Sequence, residues 1–546
     1  MEEGRMDGET KAYHETLKPR LLSILYLTLV ASIGGLVFGY YVGFIIAQFG
    51  EISDLDSILH EIVQTGLVGA ILGAAAGGWT NDCLGRRCSI LIADALIFFG
   101  AVILILLLCM TDDLGSNCLS NNIGNTLIGL GVGMASMTSP LYISEFSPPK
   151  LRDILVNVNF ILYGYGKLVF LYLYKHTIFP SRYIIALAGL AALSQFYVMF
   201  SFPESPMWLI KKKREDDAIK VLKSIYTCYE SEKEFDTFKL LIRSETTNED
   251  SKPASSIFSK IRSSWSSPSV RRQFIFGTCL QAAQQLVGIN VFINSIPNIY
   301  RMIGFGPSDH TIQFKKNSLF ESYGIPPIFG GFCCTLYLGV GKRRMLRWGL
   351  YWMLGCVLGL SFIFILSPGT TKVVSRSVSD IHFEDNMCSS YITTPDVDSW
   401  ECSTCLTNST RCGFCHGKHH NILGQSSGAS LVAVLNGTSQ VCTDKNLSRS
   451  KNDSERNDVS VLGFLSFSIY TFAYSGSLEI IPWIINSQMY PTEVRGIYGG
   501  MAAAVNWIFF LVMILLSFFF MNFQGPLFTF LLISLLCFSV SVNQLF

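Results

Sequence analysis

Residues Gly78–Arg87, GWTNDCLGRR, put a tight charged turn directly after an apolar run, and the fold is decided by how this stretch is read. The run before it, 62–76, is rich in Gly and Ala, the residues that let helices approach closely inside a bilayer. Asp82, Gly85, Arg86 and Arg87 follow. Gly85 permits a bend without a Cβ penalty, and the two arginines are expected on the side of the membrane that favours positive charge. Such a turn ties two membrane helices together at one face.

The rest of the chain has the composition this turn requires. Of 546 residues 50% are hydrophobic and only 15% charged, against about 25% charged in ordinary soluble domains, so the chain reads as a membrane protein with the lipid bilayer as its first partner. The formal net charge is +1, which gives no global field for nucleic acid, and no nucleic-acid partner is expected. Residues 1–20 are polar, and the apolar segment after them is too long for the core of a cleavable signal peptide, so it reads as a first spanning helix.

Apolar stretches long enough to cross about 30 Å of hydrocarbon fall at 21–48, 62–80, 88–109, 122–144, 154–176 and 182–202. They resume after a polar segment at 273–302, 318–338, 345–367, 460–485, 496–520 and 526–546. These are spans 1 to 12. The expected organisation is a cytoplasmic N-terminus over 1–20, a first six-helix bundle over 21–202, a cytoplasmic link over 203–272, spans 7 to 9 within 273–367, an extracellular Cys-rich loop over 368–459, and spans 10 to 12 within 460–546. Lys and Arg cluster before span 1, in the 78–87 turn, at Lys150 and Arg152, through the link, at Lys342-Arg343-Arg344 and at Arg495. With twelve spans all of these lie on one side, which the positive-inside rule makes cytoplasmic. The basic run Lys211-Lys212-Lys213-Arg214 in the link reads as a solvated surface.

The two halves repeat each other. Ser144-Glu145-x-x-Pro148-x-x-x-Arg152 closes span 4, and Ser487-Gln488-x-x-Pro491-x-x-x-Arg495 closes span 10. Gly85-Arg86-Arg87 recurs as Gly341-Lys342-Arg343-Arg344 after span 8. The turn G-x-x-x-D-x-x-G-R-R resembles the loop between helices 2 and 3 of major facilitator transporters. The expected fold is therefore an all-α membrane protein with the major facilitator fold, twelve transmembrane helices in two six-helix bundles, and a substrate site near the midplane between them.

Further segments resemble the sugar-porter branch of that family: Pro203-Glu204-Ser205-Pro206-Met207-Trp208-Leu209, Gln284-Gln285-x-x-Gly288-Ile289-Asn290 and Pro140-Leu141-Tyr142-Ile143-Ser144-Glu145. GLGVGMASMTSPLYISE, 129–145, and PWIINSQMYP, 482–491, most closely resemble the plant myo-inositol transporters. The resemblance implies proton-coupled uptake of a cyclic polyol by alternating access. It also implies a cytoplasmic latch, whose matching residues are Asp82, Arg86, Arg87, Glu145, Arg152 and Arg495.

The residues support a polyol site beside the resemblance. A sugar-like ligand presents hydroxyls that each donate and accept, so amide side chains suit it better than charges. Gln281, Gln284, Gln285 and Asn290 fall on or near one face of a span 7 helix, and in a spanning helix such a face is expected to look into a cavity. Asn506, Trp507 and Trp483 match family positions near that cavity. The competing role for these amides is interhelical bonding.

The departures from the family pattern bear on mechanism. Symporters of the family carry an aspartate as proton acceptor in span 1, in Gly-Tyr-Asp-Thr-Gly; this chain has Gly39-Tyr40-Tyr41-Val42-Gly43, with Tyr41 in its place. A phenol with an ordinary pKa near 10 is a poor proton shuttle at physiological pH. Leu338 and Gly339 replace the aspartate and arginine of the second-half turn, Asn125 the expected arginine of span 4, and Gln488 the expected glutamate of span 10, so a weaker inner gate is expected. An aromatic pair expected in span 7 is Asn294-Ser295, and Pro326 stands for an asparagine in span 8.

Two departures add charge. Lys167 in span 5 replaces a substrate-binding glutamine, and Glu479 in span 10 replaces a glycine. One ionisable residue at a helix centre costs about 2.5–3.5 kcal/mol, so two unpaired ones cost about 5–7. The expectation is that Lys167 and Glu479 approach each other across the cavity, with Glu479 as a candidate replacement proton site and Lys167 among the substrate-binding residues.

Cys388, Cys402, Cys405, Cys412, Cys415 and Cys442 lie in the outside loop, where an oxidising compartment favours three disulfides among fifteen possible pairings. The loop resembles the plexin-semaphorin-integrin-like insertion of inositol transporters. Metal is the competing reading of C-x-x-C-x6-C-x-x-C with His416, His419 and His420 nearby, and topology disfavours it; no metal and no cofactor are expected. Asn408, Asn436, Asn446 and Asn452 open N-x-S/T sequons, consistent with glycosylation of an exported loop.

The chain ends at Phe546 without the Pro-Glu-Thr-Lys-Gly-like tail of the family, which reads as truncation or degeneracy. No catalytic constellation appears in the spans, so an enzyme is not expected. The expected function is transport of myo-inositol or a related polyol or hexose, with proton symport, an uncoupled facilitator and a non-transporting sensor as alternatives that stay open. The expected location is a membrane, the plasma membrane ahead of the vacuolar one.

Overall fold

In hydrocarbon the backbone must satisfy its own polar groups, and a long apolar stretch does so by coiling into helix. The computed structural model of the protein describes residues 21–49, 66–110, 118–177, 181–226, 231–232, 234–240, 257–290, 325–366, 373–374, 412–420, 426–432, 448–449, 453–523 and 531–538. Each of the twelve expected spans contains helix within these residues. Spans 1 to 6 run over 21–31 with Ile33–Phe49, Leu67–Cys83, Arg86–Met110, Cys118–Phe146, Arg152–His176, and Ser181–Ala186 with Ala188–Met199. Spans 7 to 12 run over Pro268–Leu286, Pro326–Tyr337, Lys342–Leu366, Asp453–Ser475 with Ile481–Asn486, Arg495–Phe523, and 531–538. Among the described residues six helices are long and apolar enough to cross a membrane unaided: Leu21–Gln48, Arg86–Leu106, Asn122–Phe146, Arg152–His176, Lys342–Phe362 and Arg495–Ser517.

Two spans are broken where the sequence reading expects continuous segments. Span 7 leaves the helix after Leu286 and turns at Gly288, whose φ of 87° lies in the left-handed region that glycine alone adopts without penalty. Asn290 therefore does not follow from helical spacing; the turn aims it back at Gln285. Span 10 stops at Ser475, passes through a turn over 476–480, and restarts at Ile481 with Pro482 in the first helical turn. Proline fits there because the first N–H groups of a helix have no intrahelical partner. Irregular backbone at this depth is tolerated where it is buried in protein or lines a cavity, and both breaks do. Gly288→Ala is expected to cost about 1–2 kcal/mol from the left-handed backbone alone, read as a melting temperature in detergent lower than that of Gly355→Ala, a helical glycine where an added Cβ meets nothing within 4 Å; equal melting temperatures mean that the turn does not need glycine.

The described residues fall into two compact units, one drawn from 1–290, 323–350 and 472–515, the other from 291–322, 351–471 and 516–546. The first holds spans 1 to 6, the described parts of spans 7 and 8, and of spans 9, 10 and 11 only the parts up to 350, from 472 and up to 515. In the link, Ser205 accepts from the Trp208 N–H at 3.3 Å and caps the helix Pro206–Lys211. The helix Glu215–Ile225 follows, with three acids in its first turn facing its positive end and Ala218, Leu222 and Ile225 buried. The second unit contains an addition that the sequence reading does not anticipate, a small sheet within the outside loop. Its strands are Val373–Val374 (β1), Cys412–His420 (β2), Ser426–Val432 (β3) and Ser448–Arg449 (β4), in the order β1-β3-β2-β4. β1 is parallel to β3, and β2 is antiparallel to β3 and β4. Cys388, Cys402, Cys405, Cys442 and the four sequon asparagines lie outside the described residues, and of Cys412 and Cys415 only the strand is described.

Candidate functional site: a central cavity and a charged latch

The amides expected to bind substrate converge on one cavity in the first unit. Gln281, Gln284, Gln285, Asn290 and Asn506 are all buried. The Asn506 amide nitrogen donates to the Gln281 carbonyl oxygen at 3.0 Å, to Gln281 Oε1 at 2.9 Å and to Gln284 Oε1 at 2.6 Å, while its Oδ1 accepts from Gln285 Nε2 at 3.1 Å. Asn290 Nδ2 donates to Gln285 Oε1 at 2.8 Å. The amides thus do what the competing reading holds, bonding span 7 to span 11. They also form a wall, since Gln284, Gln285, Asn290 and Asn506 line a narrow cavity of about 20 Å³, room for about one water, so a larger ligand enters only as its walls move apart.

Aromatic rings complete the enclosure. Trp483, Trp507 and Phe38 line it, and the Phe38 ring lies 5.7 Å from Trp483 and 5.4 Å from Trp507. Among the described residues the buried Trp507 indole N–H has no hydrogen-bond partner. Buried donors are almost always satisfied, so an open one at a cavity wall is where a ligand oxygen fits. Tyr41 is fully buried, its ring 6.1 Å edge-on from Trp507, and it places no carboxylate in span 1.

Lys167 and Glu479 form a buried ion pair, Nζ to Oε1, with side chains 0% and 5% exposed. Glu479 sits in the turn that interrupts span 10, and Gln284 Nε2 donates to its backbone carbonyl at 3.0 Å. The Lys167 ammonium also lies 4.5 Å from the centre of the Tyr163 ring. Lys167 is placed behind the cavity rather than on its surface: Tyr163, Tyr474 and Gln284 form the lining there. The pull of Glu479 and the ring face accounts for this position.

The latch residues gather at the Arg-rich end. Arg86 is 1% exposed and holds Glu145 through Nη2 to Oε1 and Nε to Oε2, both 2.9 Å, with Asp82 at 3.5 Å and the Asn81 carbonyl at 2.9 Å. Ser205 donates to the other side of Glu145. Asp82 also reaches span 11, where its Oδ2 accepts the Ile497 N–H at 3.0 Å and so caps the positive end of that helix. Arg87 donates to the carbonyls of Met199 and Phe200, Arg152 to that of Ser147, and Arg495 to that of Tyr490. These last three bond backbone carbonyls and hold helix ends.

Several residues escape the sequence reading. Lys211, expected in solvent, is 15% exposed, lies 3.5 Å from Asp82 and donates to the Thr492 and Glu493 carbonyls at 3.3 and 2.8 Å. Gln488, where a glutamate is expected, donates to Asp153 at 3.0 Å, and Lys342 reaches the same carboxylate at 2.8 Å. Asp153 thus supplies an acid that the resemblance does not point to. Glu204 accepts the backbone N–H groups of Arg86 and Arg87 at 2.8 and 3.1 Å and caps span 3. Burial pushes its carboxyl above the ordinary value, against these N–H bonds and the Arg86 charge, which pull it down. Asp94 in span 3 is 2% exposed, and among the described residues its Oδ2 has no hydrogen-bond partner; the signal for it was a lone acid in an apolar run.

Comparison with known proteins agrees with this geometry. The family described as "Sugar (and other) transporter" matches residues 27–378 and 421–544. Inositol transporter 4 of Arabidopsis thaliana is 32% identical over 504 residues, covering 89% of this chain and 82% of that one. The proton myo-inositol cotransporter of Homo sapiens is 27% identical over 522 residues, covering 92% and 76%. Among solved structures, the proton:xylose symporter XylE bound to 6-bromo-6-deoxy-D-glucose superposes with a TM-score of 0.64 at 20% identity, over 95% of this chain and 94% of that one. With most of its length matched by this family and with the major facilitator architecture of that structure, the chain belongs to the sugar transporter family of integral, multi-pass membrane transporters, which are not enzymes.

Proposed function

We propose that the protein carries myo-inositol, or a related polyol or hexose, across the plasma membrane by alternating access of the central cavity. The observation that carries this reading is the wall of Gln284, Gln285, Asn290 and Asn506 beside the open indole N–H of Trp507. Those groups offer donors and acceptors in neutral form, which suits a ring of hydroxyls, and Trp483 and Phe38 offer apolar surface to the ring faces. The names of the relatives, inositol transporters and a proton myo-inositol cotransporter, support the same substrate. The latch built on Asp82, Arg86 and Glu145 then holds the Arg-rich end shut, and its opening releases substrate there.

A second reading, an uncoupled facilitator, is favoured by Tyr41 in the place of the span 1 aspartate. Uptake of radiolabelled myo-inositol in cells lacking their own inositol transporter, at acidic and neutral outside pH with surface delivery measured in parallel, separates the two. Accumulation above equilibrium that grows with acidity marks a symporter. Equilibration that ignores pH marks a facilitator. No uptake despite surface delivery overturns myo-inositol as substrate and sends the assay to other polyols.

A further inference from the structure

We infer that Glu479 is a proton-binding site linked to substrate binding, with Lys167 as the cation that holds it ionised while the site is empty. This rests on the polyol reading and goes beyond it. Tyr41 offers no carboxylate in span 1, and Asp82 and Glu145 are engaged at the latch with Arg86. Among the described residues Glu479 is the acid whose backbone is one hydrogen bond from the cavity wall, because Gln284 lines the cavity and donates to the Glu479 backbone carbonyl.

The groups around Glu479 are Lys167 and Tyr163 from span 5, Tyr474 from its own span and Gln284 from span 7. In the state described, the ammonium and the carboxylate cancel. A carboxylate that separates from its cation in a water-poor core takes up a proton, because the neutral acid loses less by burial. Lys167 keeps its own proton in that step, since the Tyr163 ring face 4.5 Å away goes on stabilising the cation. The balance is one proton from the cavity water bound to one Glu479 oxygen, with no other bond made or broken. Release of that proton restores the pair.

The coupling path is short. Glu479 lies in the non-helical turn over 476–480, and its carbonyl is tied to a wall amide. A hydroxyl that recruits Gln284 competes with that tie and moves the turn, loosening the carboxylate from Lys167. Spans 5 and 10 belong to different halves of the chain, so the same separation accompanies any rocking of one half against the other.

The experiment measures the dissociation constant of myo-inositol for the purified full chain in detergent between about pH 5.5 and 8. If one proton enters with substrate, the constant rises by up to about tenfold per pH unit. In Lys167→Gln/Glu479→Gln, which leaves no orphaned charge, the slope is expected to vanish. In the exchanged pair Lys167→Glu/Glu479→Lys, which keeps one carboxylate there, it is expected to persist. Asp94→Asn tests the other buried acid and is expected to retain the slope. A flat profile in the parent, an unchanged slope in the neutral pair, or a slope lost in Asp94→Asn overturns the assignment. No binding by the parent at any pH overturns the polyol reading and the inference with it, whereas binding without a pH slope overturns the inference alone.

Discussion

Arg86→Met is expected to destabilise the detergent-solubilised protein by about 3–5 kcal/mol, the usual cost of removing one partner from a buried ion pair. Arg86 is 1% exposed, and its guanidinium meets Glu145, Asp82 and the Asn81 carbonyl at once. Without it the Glu145 carboxylate, also 1% exposed, keeps only the Ser205 hydroxyl beside it. Asp82 fares better because Lys211 and the Ile497 N–H remain. The double variant Arg86→Met/Glu145→Gln removes the stranded charge and is expected to recover most of the loss, since replacing both members of a buried pair is often nearly neutral. Melting temperatures of the two variants against the parent decide it. A double variant no more stable than the single one means that Arg86 acts through its backbone and packing contacts instead.

The architecture was legible because it rests on periodic, local signals. Each apolar stretch expected to span contains helix among the described residues, with six of these helices long enough to cross a membrane unaided, and the repeat of Ser144-Glu145-x-x-Pro148 as Ser487-Gln488-x-x-Pro491 pointed to related halves. Lys167 with Glu479 was legible for an energetic reason, as charges too costly to bury alone, whereas Arg86 and Glu145 were named only through the family resemblance, as latch residues not yet paired with each other. The spans were less legible where one residue redirects the backbone. Gly288 ends the helical spacing from which Asn290 was placed, and the turn over 476–480 carries Glu479 out of helix altogether.

Contacts that join distant segments through ordinary polar residues were not legible at all. Lys211 sits in a basic run that any surface could carry, and only the fold brings it to Asp82 and the end of span 10. Gln488 read as a lost charge, yet Asp153 accepts from it and pairs with Lys342, so the end of span 10 is tied by a different acid from the one the resemblance implies. A weak inner gate follows from the missing charges alone, and Lys211 and Asp153 supply substitutes for them. A non-transporting sensor is favoured less to the extent that the gate is restored.

Asn506→Leu is expected to raise the KM for myo-inositol uptake at least tenfold, with a smaller loss of stability. The substitution keeps the branched shape and heavy-atom count of the side chain, with bulkier methyl groups, and removes both its donor and its acceptor. Gln281 Oε1, Gln284 Oε1 and Gln285 Nε2 then lose their common partner, at about 1–3 kcal/mol for each buried group left unsatisfied. The amides recover part of this by turning toward one another, and Gln284 and Gln285 keep their bonds to the Glu479 carbonyl and to Asn290. What they do not recover is the orientation in which they face the cavity. A net loss of one such bond to substrate, near 1.4 kcal/mol, is tenfold in affinity. Asn506→Gln, which restores the amide one methylene further out, is expected to lie between the two. The measurement is KM at matched surface expression. An unchanged KM in Asn506→Leu means that the span 7 amides are held by their own helix, and that Asn506 serves only to bond spans 7 and 11.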